Sequence, residues 1–266
     1  MAHAAKVGWR GEHETMGLDG RVALVTAGSK GIGRATALRL ARDGADVAIS
    51  YARDDAAAAD TVAAIEALGR RAFALRAPAE DLEAGERLVA RTFETLGAIG
   101  ILVNNAGVDW DGTPVAETPP ERLRHVMAIN AIAPHHLARL VLPRMRALGR
   151  GDIVMISSTV TDIQGGGYAP YAMSKAALEA LAAVLAQEER AHGIHVNTVA
   201  PGLVETPLGM RYVTAMGGTD MRELDAVVPY GRVCQPEQVA SVVAFLVSGD
   251  AGYVNGQRIY VDGGGP

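Results

Sequence analysis

Arg21-Val-Ala-Leu-Val-Thr26 runs directly into Ala27-Gly-Ser-Lys-Gly-Ile-Gly33, and the reading of this stretch decides the fold. The first six residues form a short apolar, β-branched run that reads as a buried strand. The next seven are glycine-rich, and residues 35 to 41 then carry apolar positions at helical spacing before a stop at Gly44. Strand, glycine loop and helix in that order make an anion cradle. Glycines let a ligand approach the backbone, and unpaired amides at the helix N-terminus attract negative charge. An ordinary tight turn is the bland alternative. Gly28, Ser29, Lys30, Gly31, Ile32 and Gly33 are therefore the candidate phosphate-binding residues. Gly44-Ala-Asp-Val-Ala-Ile-Ser-Tyr51 reads as a second strand and closes a βαβ unit.

Outward from that unit the alternation continues. A helix (about 56–68), a strand (71–76) and a helix (82–96) lead to Ile101-Leu-Val103 and then Asn104-Asn-Ala-Gly107. A long helix is expected from 121 to about 148, a strand at 152–156, and a helix from Tyr171 to about 192. A strand at 195–199, a helix from 236 to about 247 and a last strand at 257–261 follow. This spacing predicts an α/β fold, a Rossmann-type doubly wound parallel sheet in a single domain, with ligands at the carboxyl ends of the strands. Residues 1–17 show no periodicity and read as a flexible tail, so the domain spans 18–266. Between 207 and 231 no period emerges and Gly209, Gly217 and Gly218 offer pivots, so a loop of substrate-lid type is expected there. Met210, Tyr212, Met216 and Met221 are its apolar contributions and suggest a substrate with an apolar part.

The 266 residues, 49% of them hydrophobic, are enough for one sizeable core. A net charge of -5 argues against a nucleic-acid footprint. The single cysteine, Cys234, permits neither an internal disulfide nor a thiolate zinc site, which fits a reducing cytoplasm. The densest apolar run, 241–247, falls far short of the ~20 residues a membrane span needs. No metal site is expected. His135 and His136 read as helix-surface residues, because no acidic partner at metal spacing accompanies them.

Tyr171-Ala-Met-Ser-Lys175 supplies the chemistry. On a helix its Tyr and Lys lie one turn apart on one face. A phenol titrates near ~10, too high for efficient transfer at neutral pH. A nearby ammonium favours the phenolate and brings general acid–base transfer towards working pH. A serine hydroxyl such as Ser158 can hold a carbonyl oxygen as negative charge builds on it. The set passes a proton between a carbonyl and an alcohol and still needs a hydride source. Pairs of this spacing arise by chance on many helices, so its weight comes from the cradle upstream. Pro134 has no N–H to give the carbonyl of Asn130, and a buried free carbonyl usually finds water. A simple kink is the alternative.

Taken together, these residues resemble the short-chain dehydrogenase/reductase family, and within it the bacterial 3-oxoacyl-acyl-carrier-protein reductases. The resemblance rests on Thr26-Ala-Gly-Ser-Lys-Gly-Ile-Gly33, Asn104-Asn-Ala-Gly107, Asn130, Ser158, Tyr171 with Lys175, Pro201-Gly202 with Thr206, and Asn255-Gly-Gln before Val261-Asp-Gly-Gly264. It covers 18–264 and implies a nicotinamide-dependent oxidoreductase acting on a carbonyl or secondary alcohol. It implies Tyr171 as general acid/base and Ser158, rather than Ser157 or Ser174, as the oxyanion donor. Lys175 would also grip the ribose hydroxyls, and Asn130 would hold a relay water. Asn105, Ala106, Gly107, Pro201, Gly202, Val204 and Thr206 would line the cofactor. A homotetramer built through the two long helices is also implied. Two departures stand out. Ala27 replaces the first glycine of the loop, and Pro78 stands where the family places an Asp on the adenine, leaving backbone or Asp81 for that task.

The choice of dinucleotide turns on charge. An acid at the end of the second strand binds both ribose hydroxyls and repels a 2′-phosphate. Here Tyr51 stands there, followed by Ala52 and Arg53, and Lys30 and Arg53 are two cations able to reach one phosphate. Asp54 and Asp55 follow at once and oppose Arg53. NADP(H) is the expected cofactor, with NAD(H) second. Two other classes keep the same motifs: a cofactor-binding scaffold or sensor without turnover, and an isomerase or epimerase with tightly held cofactor.

Overall fold

The structure, a computed structural model, describes residues 17–108, 111–215 and 217–264. Almost all of the expected tail and Met216 lie outside the described residues. Among those described, seven parallel strands run β1 (Val22–Val25), β2 (Asp46–Tyr51), β3 (Ala72–Arg76), β4 (Ile99–Asn104), β5 (Gly151–Ile156), β6 (Ile194–Pro201) and β7 (Arg258–Val261). Their order across the sheet is β3-β2-β1-β4-β5-β6-β7. The order reverses between β1 and β4, which opens a crevice at the carboxyl ends of those two strands, where doubly wound sheets take their ligands.

The apolar runs are continuous because the central strands are buried on both faces. Side chains alternate along each strand, so Leu102 enters one helical layer and its neighbours Ile101 and Val103 the other. α1 (Gly31–Arg42), α2 (Asp55–Glu66) and α9 (Pro236–Val247) cover the face of Ile49, Ile101 and Val154. α3 (Leu82–Thr95), α5 (Ala133–Met145) and α7 (Ala169–Glu189) cover that of Leu24, Leu102 and Ile153. The amino end of the sheet is closed by charge. Asp152, 1% exposed, accepts a 2.7 Å hydrogen bond from Arg21 and lies 3.4 Å from both Arg150 and His195. Arg21 also donates to the Gly100 and Val247 carbonyls, and Arg150 to that of Ser248.

Three expectations change. The long helix is not uniform. α4 (Pro120–Met127) passes through a π turn, Ala128–Ile132, into α5. The Ala133 amide reaches back five residues to the Ala128 carbonyl, which widens the turn carrying Asn130. The supposed lid loop begins as a helix, α8 (Pro207–Ala215), because Thr206 caps it by accepting from the Gly209 amide. Gly209 is no pivot. A Cβ there would lie 2.2 Å from the Val204 carbonyl oxygen, so close packing is what demands glycine. Met221 is 4% exposed and packs with Val213 and Val233 in a small core of this segment itself, so it is not one of the exposed apolar contributions expected there. His136 is not a surface residue either: it is packed towards α3, with Nε2 3.6 Å from Glu86.

Candidate active site

The cradle is built as the sequence implied, with one twist. α1 opens at Gly31 and no side chain caps its first amides. A Cβ at Gly28 would lie 2.5 Å from Ile49 Cγ2, and one at Gly33 would lie 2.3 Å from the Ala27 carbonyl oxygen and 2.5 Å from Asn105 Nδ2. Ala27 takes the left-handed conformation, φ 51°, that the missing glycine would adopt freely. The loop is stitched to the end of β4. Thr26 Oγ1 accepts from the Asn105 and Ala106 amides at 2.9 and 2.8 Å, and Asn105 Nδ2 donates to the Thr26 carbonyl at 2.9 Å. Thr206 borders Gly31 from the far side, and the Gly202 amide donates to the Val261 carbonyl beside it. Val204 pairs with Cys234. An uncapped helix start, glycines with no room for a Cβ and a facing wall at 201–206 fit a dinucleotide diphosphate.

At the adenosine end the charges have partners that the sequence did not reveal. Lys30 is ion-paired with Asp54, whose carboxyl is held low first by the Ala57 amide it caps and then by Lys30. Asp55 is hydrogen-bonded to Tyr51, whose phenol is pushed up by burial and then by that carboxylate. Arg53 is exposed. Arg76, next to Tyr51 in the sheet register, donates to the Ala52 carbonyl and adds a third cation at this rim. Asp81, one of the groups left for adenine, caps α3 by accepting from the Ala84 amide.

The chemical groups converge at the carboxyl ends of β4 and β5. α7 carries Tyr171, Ser174 and Lys175. The Lys175 ammonium, 4% exposed, donates to the Ile156 carbonyl at 2.8 Å and lies 5.8 Å from the Tyr171 ring centre. Burial lowers its pKa to about 8 against the opposing pull of Glu179. Gly107 leaves room for this ammonium: its Cβ would sit 3.4 Å from both Lys175 Nζ and Asn130 Oδ1. Asn130 clamps the chain after Gly107, accepting from the Val108 amide and donating to its carbonyl, both at 2.9 Å. Its amide also donates to Ser174 Oγ at 3.0 Å, and Ser174 donates to the Tyr171 carbonyl at 2.8 Å. Ser174 thus couples Asn130 to the helix that carries Tyr171 and Lys175, a link that the sequence reading missed. Ser158 Oγ accepts from the Val160 amide, and among the described residues nothing accepts its own proton. Ser157 points away and is bonded to Glu179.

The comparisons agree with this geometry. The family described as "Enoyl-(Acyl carrier protein) reductase" matches residues 26–265. The chain is 36% identical to human dehydrogenase/reductase SDR family member 4, over 94% of this chain and 88% of that protein. It is 34% identical to 3-oxoacyl-[acyl-carrier-protein] reductase FabG of Vibrio cholerae, over 94% and 98%. It is also 34% identical to L-rhamnose 1-dehydrogenase (NAD(P)(+)) of a Sphingomonas species, over 93% and 96%. A dehydrogenase/reductase from Sinorhizobium meliloti superposes with a TM-score of 0.85 at 36% identity, covering 94% of this chain and 96% of that one. The chain belongs to the short-chain dehydrogenase/reductase family. It is an NAD(P)-dependent oxidoreductase of that family. Among the described residues no helix is long and apolar enough to cross a membrane.

Proposed function

We propose that this protein catalyses reversible hydride transfer between NADP(H) and a carbonyl or secondary alcohol bearing an apolar part. The observation that carries the reading is the buried Lys175 ammonium, anchored on the Ile156 carbonyl beside the Tyr171 ring. The bound dinucleotide would supply or accept the hydride. Gly28, Ser29, Lys30, Gly31, Ile32 and Gly33 would hold its diphosphate, and Asn105, Ala106, Gly107, Pro201, Gly202, Val204 and Thr206 its nicotinamide half. Tyr171 exchanges the proton with the substrate oxygen, and Ser158 donates to that oxygen as charge builds. Lys175 has N–H groups left beyond the Ile156 bond, enough to steady a ribose and to favour the Tyr171 phenolate. Asn130, in its widened turn opposite Pro134, holds the water that returns protons to Lys175.

The apolar part of the substrate is supported by Tyr168 and Tyr212, whose rings lie 6.1 Å apart between the start of α7 and α8. NADP(H) is favoured by three cations, Lys30, Arg53 and Arg76, and by the absence of an acid at Tyr51, although Asp54 holds part of the Lys30 charge. Ile132 and Val184, 50% and 53% exposed on the helices of this face, support a homotetramer. The lone Cys234 supports a reducing, cytoplasmic setting. The test is a screen of ketones, aldehydes and secondary alcohols with NADPH, NADH and their oxidised forms. Turnover in one class with a preference for the phosphorylated cofactor is expected. Tight cofactor binding with no turnover across the panel would mark a scaffold instead.

A further inference from the structure

Tyr171 and Lys175 do not end their stripe on α7: one turn further along stands Glu179. Its Oε1 accepts from Ser157 Oγ at the end of β5 and from Thr161 Oγ1 of α6 (Val160–Ile163), the latter at 3.2 Å. The same oxygen lies 3.2 Å from Arg258 Nε on β7, an ion pair without hydrogen-bond alignment. Arg258 continues the network. Its Nη2 donates to the Ser158 carbonyl at 3.3 Å, to Thr161 Oγ1, and to Asp162 Oδ2 at 2.7 Å. Tyr260 donates to the same Asp162 oxygen and lies under the Arg258 guanidinium. Ser157, α6 and β7, on three sides of Ser158, are thereby tied to one carboxylate on the helix that carries Tyr171.

We propose that Glu179 is a positioning residue, which fixes the Ser158 turn through Ser157, Thr161 and Arg258 and provides the counter-charge for the buried Lys175 ammonium. This rests on the catalytic reading of Tyr171 and Lys175. Among the described residues the charged and titratable groups around the pair are Tyr171 on α7, Asp162 on α6, and Arg258 and Tyr260 on β7. The Ile156 carbonyl and Gly107 complete the Lys175 surroundings. Lys175 is desolvated, and a negative charge one turn away is what opposes its loss of a proton. Arg258 draws on that same negative charge, so the two partners act on Lys175 with opposite sign.

The opposition makes the test sharp. The chain has three lysines, Lys6, Lys30 and Lys175, so ε-13C-lysine labelling gives a readable NMR titration of Lys175. Glu179→Gln keeps the acceptor for Ser157 and Thr161 and removes the charge. The Lys175 midpoint, about 8 in the parent, should fall by roughly half a unit or more. Arg258→Met leaves the Glu179 charge unshared, and the midpoint should rise. In alcohol oxidation the rising limb, where the Tyr171 phenolate forms, should move to higher pH in Glu179→Gln, since Tyr171 loses its cationic help earlier, and to lower pH in Arg258→Met. Glu179→Ala should lower kcat further than Glu179→Gln, by about tenfold, because the ties to Ser157 and Thr161 go too. Midpoints that stay put or move the same way in both variants would overturn the proposal. The NMR readout stands without turnover, so a wrong catalytic reading, revealed by an active Tyr171→Phe enzyme, is told apart from a wrong role for Glu179.

Discussion

The two ends of one sheet are built on opposite terms. At the amino end the charges are paired with one another. Asp152 is shared by Arg21 and Arg150, and those arginines also serve the carbonyls of Gly100, Val247 and Ser248. At the carboxyl end groups are held ready and left incomplete. α1 starts without a side-chain cap, the Ser158 hydroxyl donates to no described group, Lys175 is buried as an ammonium, and Ala27 sits in a left-handed conformation. Stability is concentrated where charges have partners, and chemistry where they wait for one.

The largest expected effect falls on the carboxyl end. Tyr171→Phe should lower turnover by ~10³-fold or more, with cofactor Kd and Tm nearly unchanged, because only the proton donor is lost. Steady-state rates beside a fluorescence titration of NADPH decide it. A variant keeping a few per cent of the parent rate would remove Tyr171 from the chemistry.

Asp152→Ala is the mirror image. It takes the buried anion from Arg21 and Arg150, which are themselves 20% and 35% exposed, so that screening by water leaves a cost of about 2–3 kcal/mol. Thermal melts should drop by roughly 10 °C. At 15 °C the surviving folded enzyme should keep the parent kcat/KM. A loss of catalytic efficiency there would mean that the two ends are not separate.

Pro134→Ala comes next, with a fall in rate of about tenfold and little change in cofactor affinity. The new N–H offers the Asn130 carbonyl the donor it lacks, and the π turn gains a competing α-helical register. A parent-like rate would take the relay water away from Asn130.

How much of this contrast could be read from residues alone differs between the ends. The cradle was legible because backbone shape is written in glycines: Gly28 and Gly33 admit no Cβ. Tyr171 and Lys175 were legible through helical spacing. Glu179 continues the same spacing, but one more acid on an amphipathic helix reads as solvated surface until its partners on β5, α6 and β7 are known. The Asp152 cluster was invisible, since Arg21, Arg150, Asp152 and His195 meet only after the sheet assembles. α8 was missed because a short helix with Gly209 inside it shows no period, although Thr206-Pro207 is a fair start signal.

Lys30→Ala tests how far a partnered charge can still act on a ligand. Lys30 and Asp54 are both half exposed, so their ion pair is weak enough for a phosphate to compete. The ratio of kcat/KM for NADP over NAD should fall about fivefold, since Arg53 and Arg76 remain. A ratio that does not move would show that Asp54 holds Lys30 throughout, and Arg76→Ala would then be the variant to measure.

The smallest effect concerns Ala27, the one residue of the cradle that stands where the family has glycine. A left-handed conformation costs an L-residue roughly 1–2 kcal/mol, because Cβ crowds the following carbonyl. Replacement by glycine removes that strain but adds about 0.4–1 kcal/mol of unfolded-chain entropy. Ala27→Gly should therefore raise stability by only about 0.5 kcal/mol, seen as a small increase in the urea midpoint at constant slope. The direction matters more than the size. The Ala27 amide donates to Ser50 Oγ and its carbonyl faces Gly33 and Asn105, so its shape sets the mouth of the cradle. If the variant gains stability but loses affinity for NADPH, alanine holds the loop open in advance at the expense of the fold. If it gains both, the strain serves no binding role. A loss of stability would show that Ala27 is not strained at all, and would move the carboxyl end closer to the settled packing of the amino end.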